Sequence, residues 1–248
     1  MFSSFAYFYN LIIYIPLYNG LIGLINIFPW MDVGVAIIAF TIIIRLVLFP
    51  LSKKSIKTQI RMREIQPEIA AVQKRYTDKQ EQMLKTMELY KKHNIRPLAG
   101  TLILFIQLPI LIGLYYVFAR SGLPVVNAAI LYPFVHLPSI NMNFLGILDI
   151  SKTSIFMAVV AAASQYVQLR YSLASQPQAA MTNGADNPTA AMSKQMRYIM
   201  PVMIFILAFR FPAAISLYWT IGNLFMLGQE LFVRFHHEKG KRKVIGLA

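Results

Sequence analysis

Residues 32–57 read DVGVAIIAFTIIIRLVLFPLSKKSIK. Between Asp32 and Leu51 the single charge is Arg45, and the run ends against Lys53, Lys54 and Lys57. About 20 mostly apolar residues cross the hydrocarbon core of a bilayer. Basic residues collect on the cytoplasmic side of such a crossing. The stretch therefore predicts a transmembrane helix over 32–52 with its C-terminal end inside. An arginine sits within that helix, where insertion costs a few kcal/mol or more.

The whole chain agrees with this reading. Of its 248 residues 57% are hydrophobic and only 14% charged, whereas a soluble domain is about a quarter charged. Water-soluble globular and disordered classes are excluded. Cysteine is absent, which removes disulfides, thiolate metal sites and a cysteine nucleophile. The first basic residue is Arg45, so an ordinary signal peptide with a basic n-region is not expected and residues 1–30 belong to the mature chain.

Upstream, residues 1–30 are uncharged and apolar, interrupted by Pro16 and Pro29. Leu17, Leu21, Leu24 and Phe28 share one helical face, and Asn19, Gly23 and Asn26 another. This predicts an interfacial amphipathic helix. The alternative is a transmembrane helix starting near Phe5, against which Pro16 splits the run.

Downstream, residues 53–97 hold twelve basic and five acidic residues and no glycine. Good helix formers dominate. A break near Thr77 and Asp78 predicts a cytoplasmic helical hairpin, with Pro67 kinking or dividing its first helix. A second span covers 98–119, with Gln107 and Pro109 near its middle. Residues 120–150 form a charge-poor outer loop. A third span covers 152–172 and a small polar loop 173–192. Fourth and fifth spans cover 193–211 and 213–235, and a basic tail runs over 236–248. The fold class is an all-α polytopic membrane protein with five spans.

Charge sets the orientation. Three regions, 53–97, 170–197 and 234–248, hold twenty of the 24 basic residues. The opposite side holds Arg120, Lys152 and Arg210. The N-terminus is expected outside and the C-terminus in the cytoplasm. Charge spread over loops that flank spans does not read as a DNA-binding surface.

Arg45 carries the most information. It either snorkels to the inner interface or faces a wet cavity within the bundle. Thr41 lies one turn away on the same face, Gln107 lies mid-span in the second helix, and Ser164, Gln165 and Gln168 lie in the third. Trp219 and Asn223 lie one turn apart in the fifth. Each polar residue alone could be interhelical glue. Several beside one arginine favour a hydrated groove. An arginine hardly deprotonates, so it suits attraction of a passing anion better than a proton relay. Phosphate loops, nucleophile elbows and metal-ligand spacings are absent. No catalytic step, cofactor or metal is expected. A small transporter or channel with Arg45 as an anion site is the second reading, although the spans show no inverted repeat.

Several segments, in order, resemble the YidC/Oxa/Alb family of membrane protein insertases over roughly 17–235. They are PLYNGLI, TIIIRLVLFPLSKKS, IQPEIAAVQKRY, LYKKHNIRPLAGTLILFIQLPILIGLYYVF and FPAAISLYWTIGNLF. The resemblance implies a five-transmembrane-helix insertase core around a hydrophilic groove. It implies an N-terminal interfacial helix and a cytoplasmic helical hairpin. Arg45 matches the groove arginine, and Thr41, Gln107, Gln168 and Asn223 would be polar groove residues. Leu108, Leu111 and Trp219 match positions that contact substrate. The hairpin's Lys53, Lys54, Lys57, Arg61, Arg63, Lys74 and Arg75 would meet substrate, lipid headgroups, the ribosome, signal recognition particle machinery or the Sec translocon. The protein would serve nascent membrane proteins in a bacterial plasma membrane, as a monomer. Arg210 stands where the family often has an apolar or aromatic residue, and the large extracytoplasmic domain of some members is missing.

Overall fold

The computed structural model describes residues 2–95, 102–120, 123–174 and 188–244. The expected start of the second span at 98–101, the end of the hairpin at 96–97, most of the 173–192 loop and the last four residues of the tail lie outside them. The described chain is helical apart from short turns and the segment between α7 and α8. The helices are α1 (Phe2–Tyr9), α2 (Ile15–Ile27), α3 (Val33–Val47), α4 (Phe49–Glu64), α5 (Gln66–Arg75) and α6 (Lys79–Lys92). They continue with α7 (Leu102–Tyr115), α8 (Ile155–Ala174), α9 (Pro188–Arg210) and α10 (Ala213–Val244). Between α7 and α8 a two-stranded antiparallel hairpin pairs β1 (Asn143–Phe144) with β2 (Leu148–Asp149).

Proline positions several helix starts. Pro16, Pro50 and Pro67 each lie in a first turn, where the missing N–H costs no hydrogen bond. Pro67 divides the chain at Ile65, between α4 and α5. Pro16 does not split the N-terminal run. A wide turn of π-helix at Asn10–Tyr14 joins α1 to α2, and such a turn absorbs the clash of a proline ring with the preceding carbonyls. Ala6–Ile27 is consequently one helix, long and apolar enough to cross a bilayer. Val33–Val47 with Phe49–Glu64 passes the same length and composition test as a broken pair, and Gln107–Phe118 and Tyr198–Arg210 are shorter apolar helices.

The contacts divide the chain into two compact units. The first contains Met1–Val47, Phe105–Gln165 and Met200–Phe225. Its main core gathers Tyr18, Leu21, Ile22 and Ile25 of α2, Val33 and Ile37 of α3, Leu114 of α7, and Ile215 and Tyr218 of α10. A second cluster joins Ala158 and Ala161 of α8 to Ile204 and Ala208 of α9. Lipid tails are as apolar as leucine, so helices in a membrane associate through close fit, which small residues permit. Ile43, Leu46, Phe156, Val202, Ile206 and Leu224 are exposed, an apolar surface too extensive for a protein in water.

The polar face of α2 turns toward protein. Asn19 donates from Nδ2 to Ile130 O (2.8 Å) and accepts at Oδ1 from Tyr132 N (2.6 Å). Asn26 donates to His136 O, and the Tyr18 hydroxyl accepts from Asn127 N. The segment 127–136 thus folds back onto α2. Asp32 caps α3 by accepting from Val35 N and holds the β-hairpin by accepting from Leu145 N, both at 2.9 Å. Ala213 N and Ala214 N donate to Lys152 O and Ile150 O, so the same strip anchors the start of α10.

The second unit contains Leu48–Leu104, Tyr166–Ile199 and Met226–Ala248. Asp78 caps α6 by accepting from Glu81 N, which ends α5 and reverses the chain. Glu68 contacts His93 at 3.1 Å, and Gln82 donates to Gln73 O and Tyr76 O. These pairings set α5 and α6 antiparallel. Ile65, Ile69 and Ile95 form a small core there. The seven basic residues singled out above, from Lys53 to Arg75, are all exposed. Glu230 of α10 is buried and paired with Arg234. The Arg234 guanidinium lies 4.9 Å from the Tyr171 ring centroid. The basic tail is helical to Val244, because α10 continues through it.

Candidate functional site

The site is built in the first unit on α3, α7 and α10. Arg45 lies two residues from the end of α3 and is 6% exposed. Its Nη2 donates to Gln107 Oε1 at 2.9 Å. Gln107 Nε2 in turn donates to the Tyr218 hydroxyl oxygen at 2.9 Å. The guanidinium is thus held against α7, which is not the arrangement of a side chain snorkelling to an interface. The two bonds also settle the Gln107 amide orientation, since its oxygen must face the cation and its nitrogen the phenol.

Magnitudes show what this arrangement leaves unmet. Taking an ion out of water costs several kcal/mol even after relaxation. One hydrogen bond to a charged group contributes about 1.5–3 kcal/mol. A guanidinium has five N–H donors, and Gln107 is the partner found for Arg45 among the described residues. Among those residues no carboxylate stands within ion-pair distance of it. The charge is oriented but not neutralised. Such a group attracts an anion that can reach it.

The other expected groove residues separate by location. Thr41 is buried on the Arg45 face, but its hydroxyl donates to Ile37 O of its own helix at 2.6 Å. Asn223 Nδ2 donates to Ser164 Oγ at 3.0 Å, and Ser164 donates to Ala161 O at 2.8 Å. That pair joins α10 to α8, a glue role. Gln168 lies in the second unit, where Ser52, Gln59, Gln168, Ser172, Gln229 and Glu230 line a cavity of about 30 Å³. Among the positions matched to substrate contacts, Leu108 is half exposed and Leu111 packs against the main core. Trp219 packs on the Ala158, Ala161, Ile204 and Ala208 cluster.

Two residues of the site escape a reading of the sequence. Tyr218 is hidden beside the rarer Trp219, yet it is the one bonded to Gln107. Gly222, one turn further along α10, lies against the guanidinium: a Cβ there would stand 2.8 Å from Arg45 Nη2. The available signal was the spacing in LYWTIG, which puts a tyrosine and a glycine on one face.

Comparison with known proteins adds the following. The model of the family described as 60Kd inner membrane protein matches residues 24–240. The chain is similar to the membrane protein insertase YidC of Clostridium tetani, with 36% identity over 213 residues, 85% of this chain and 86% of that protein. It is similar to the membrane protein insertase MisCA of Bacillus subtilis, with 33% identity over 208 residues, 81% of this chain and 70% of that one. A crystal structure of an active YidC insertase with its first transmembrane domain resolved matches at 28% identity with a TM-score of 0.49. That match covers 84% of this chain and 44% of the crystallised one.

Proposed function

The chain belongs to the 60Kd inner membrane protein family, and from that premise we propose that it is a membrane protein insertase, the activity for which its relatives are named. It moves short hydrophilic segments of nascent membrane proteins across the bilayer and releases their helices into lipid, with no chemical step. Five spans surround a hydrophilic groove, with the N-terminus outside and the C-terminus in the cytoplasm. The observation that carries the reading is the buried Arg45 guanidinium, oriented by Gln107 and lacking a carboxylate partner among the described residues.

The mechanism is electrostatics followed by partition. Arg45 attracts acidic groups of a substrate tail into the inner leaflet, which shortens the distance those groups cross without hydration. Gln107 and the buried Thr41 beside Arg45 supply polar groups along the way. Leu108, Leu111 and Trp219 offer apolar contact to the substrate helix. That helix then leaves sideways, driven by transfer of its apolar residues into lipid. The exposed basic residues of α4 and α5 suit anionic headgroups and substrate, and the ribosome, signal recognition particle machinery and Sec translocon are further partners. The monomer carries the whole groove.

Reconstitution tests this. Purified protein in liposomes receives a single-span substrate with a short acidic outer tail, and tail translocation is scored by protease protection. Wild type should protect the tail well above empty liposomes. Arg45→Ala should lower the initial rate roughly tenfold, which corresponds to ~1.4 kcal/mol. Wild-type protection equal to that of empty liposomes, over several substrates, would rule out autonomous insertion.

A further inference from the structure

We infer that Gly222 is a positioning residue for Arg45: its missing side chain keeps open the place that Nη2 must occupy to reach Gln107. The inference deepens the insertase reading and rests on it for its functional consequence. Tyr218 and Gly222 lie four residues apart and so occupy successive turns of one face of α10. Tyr218 receives the Gln107 amide, and Gly222 receives the arginine. The Arg45 atom nearest a Gly222 Cβ is Nη2, at 2.8 Å, and Nη2 is also the atom that donates to Gln107 Oε1 at 2.9 Å. A methyl carbon has no lone pair to accept an N–H, so at that separation carbon and nitrogen overlap and one of them must move. Any side chain at 222 therefore competes directly with the Arg45–Gln107 bond. The next nearest atoms to that Cβ also belong to Arg45, its Cζ at 3.6 Å and Nε at 3.7 Å.

The competition has a specific outcome. Nη2 is the far end of a flexible side chain, so the fold absorbs a Gly222→Ala substitution by moving the guanidinium rather than the backbone. Alanine is also the better helix former. The substitution therefore spares the helix and removes the orientation of the charge. An unheld guanidinium must be ordered again by each incoming acidic group, and preorganised donors are the more effective ones.

The test compares wild type, Gly222→Ala, Gln107→Ala, Arg45→Lys and the double variant Arg45→Lys with Gly222→Ala, all full-length. The first readout is independent of insertion: the side-chain resonance of Arg45 in ¹⁵N-arginine-labelled protein in nanodiscs, assigned by its loss in Arg45→Lys. Gly222→Ala should shift it as Gln107→Ala does. An unchanged resonance in Gly222→Ala overturns the inference. The second readout is insertion of an acidic-tailed and a neutral-tailed substrate. Gly222→Ala should slow the acidic tail roughly tenfold, as loss of a hydrogen bond to a charged group does, and leave the neutral tail near wild type. In the Arg45→Lys background, which lacks Nη2, adding Gly222→Ala should change nothing further. Effects that multiply in that background would overturn the inference, because independent packing roles add. Should Gly222→Ala fail to fold, the Arg45→Ala, Gly222→Ala pair decides. Recovery of folding there supports competition with the guanidinium, and continued failure overturns it. If wild type inserts no substrate, the insertase reading falls, and the Arg45 resonance still decides the placement.

Discussion

Among the described residues Arg45 is held by a neutral chain, Arg45 to Gln107 to Tyr218, rather than by an acid. An opposite charge would satisfy the guanidinium and leave it little to offer a substrate. An amide orients it while leaving the charge in place. The last link is testable by one atom. Tyr218→Phe removes the acceptor of Gln107 Nε2 at a site where Tyr218 is only 2% exposed. The lost bond should cost about 1 kcal/mol. In a chain of this length that lowers the thermal midpoint by roughly 2–4 °C, measurable in detergent. A midpoint equal to wild type would mean that the phenol does not hold the amide. Its neighbour Trp219 is partly buried and packs against alanines of α8 and isoleucine and alanine of α9.

At the scale of elements, one end of the first unit is fastened through α3 and the β-hairpin. Asp32 serves both, and Val33 N donates to Asn141 O at 2.9 Å. Gly34 lets the Phe144 ring lie directly on the α3 backbone, and a Cβ at 34 would overlap carbons at the base of that ring. These are not atoms at the end of a flexible chain, so the hairpin as a whole must move. Gly34→Ala should therefore destabilise by about 1–3 kcal/mol, the usual cost of overpacking. Adding Phe144→Ala should recover part of the loss, read as a thermal midpoint that rises in the double variant. A double variant no more stable than Gly34→Ala alone would place the strain elsewhere. Nearby, Ser151 and Lys152 hold the Asp149 carboxyl down at about 2 from its ordinary 3.8. Its contribution is complete above that ordinary value and is lost only as the pH falls through about 2.

At the scale of the whole molecule, the number and direction of crossings follow from length, composition and charge. Length and composition among the described residues single out Ala6–Ile27 and the broken pair Val33–Val47 with Phe49–Glu64. The five-span arrangement rests on the alternation of basic and charge-poor regions along the chain. Because the chain has no cysteine, single introduced cysteines report sidedness without background. Ile147, at the exposed tip of the β-hairpin, should react as Ile147→Cys with an impermeant maleimide added outside intact cells. Lys74→Cys on α5 should react only after the membrane is opened. Labelling of both from outside would overturn the topology.

Composition, a single intramembrane arginine and the placement of basic residues determine a great deal here without coordinates. They point to the membrane class, and from them come the expectations of sidedness, of a helical hairpin and of Arg45 as the central residue of the site. Those properties follow from local arithmetic: spacing, charge and residue type along one helix. The tertiary structure decided which faces meet. It turned Asn19 and Asn26 toward residues 130–136 instead of water, and engaged the Thr41 hydroxyl with its own helix. It joined Asn223 to Ser164, and brought Tyr218 to Gln107 and Gly222 to Arg45. Positions 45, 107, 218 and 222 come together only through the register of helices far apart in sequence. Periodicity within one helix carries no information about the rotation of its neighbour.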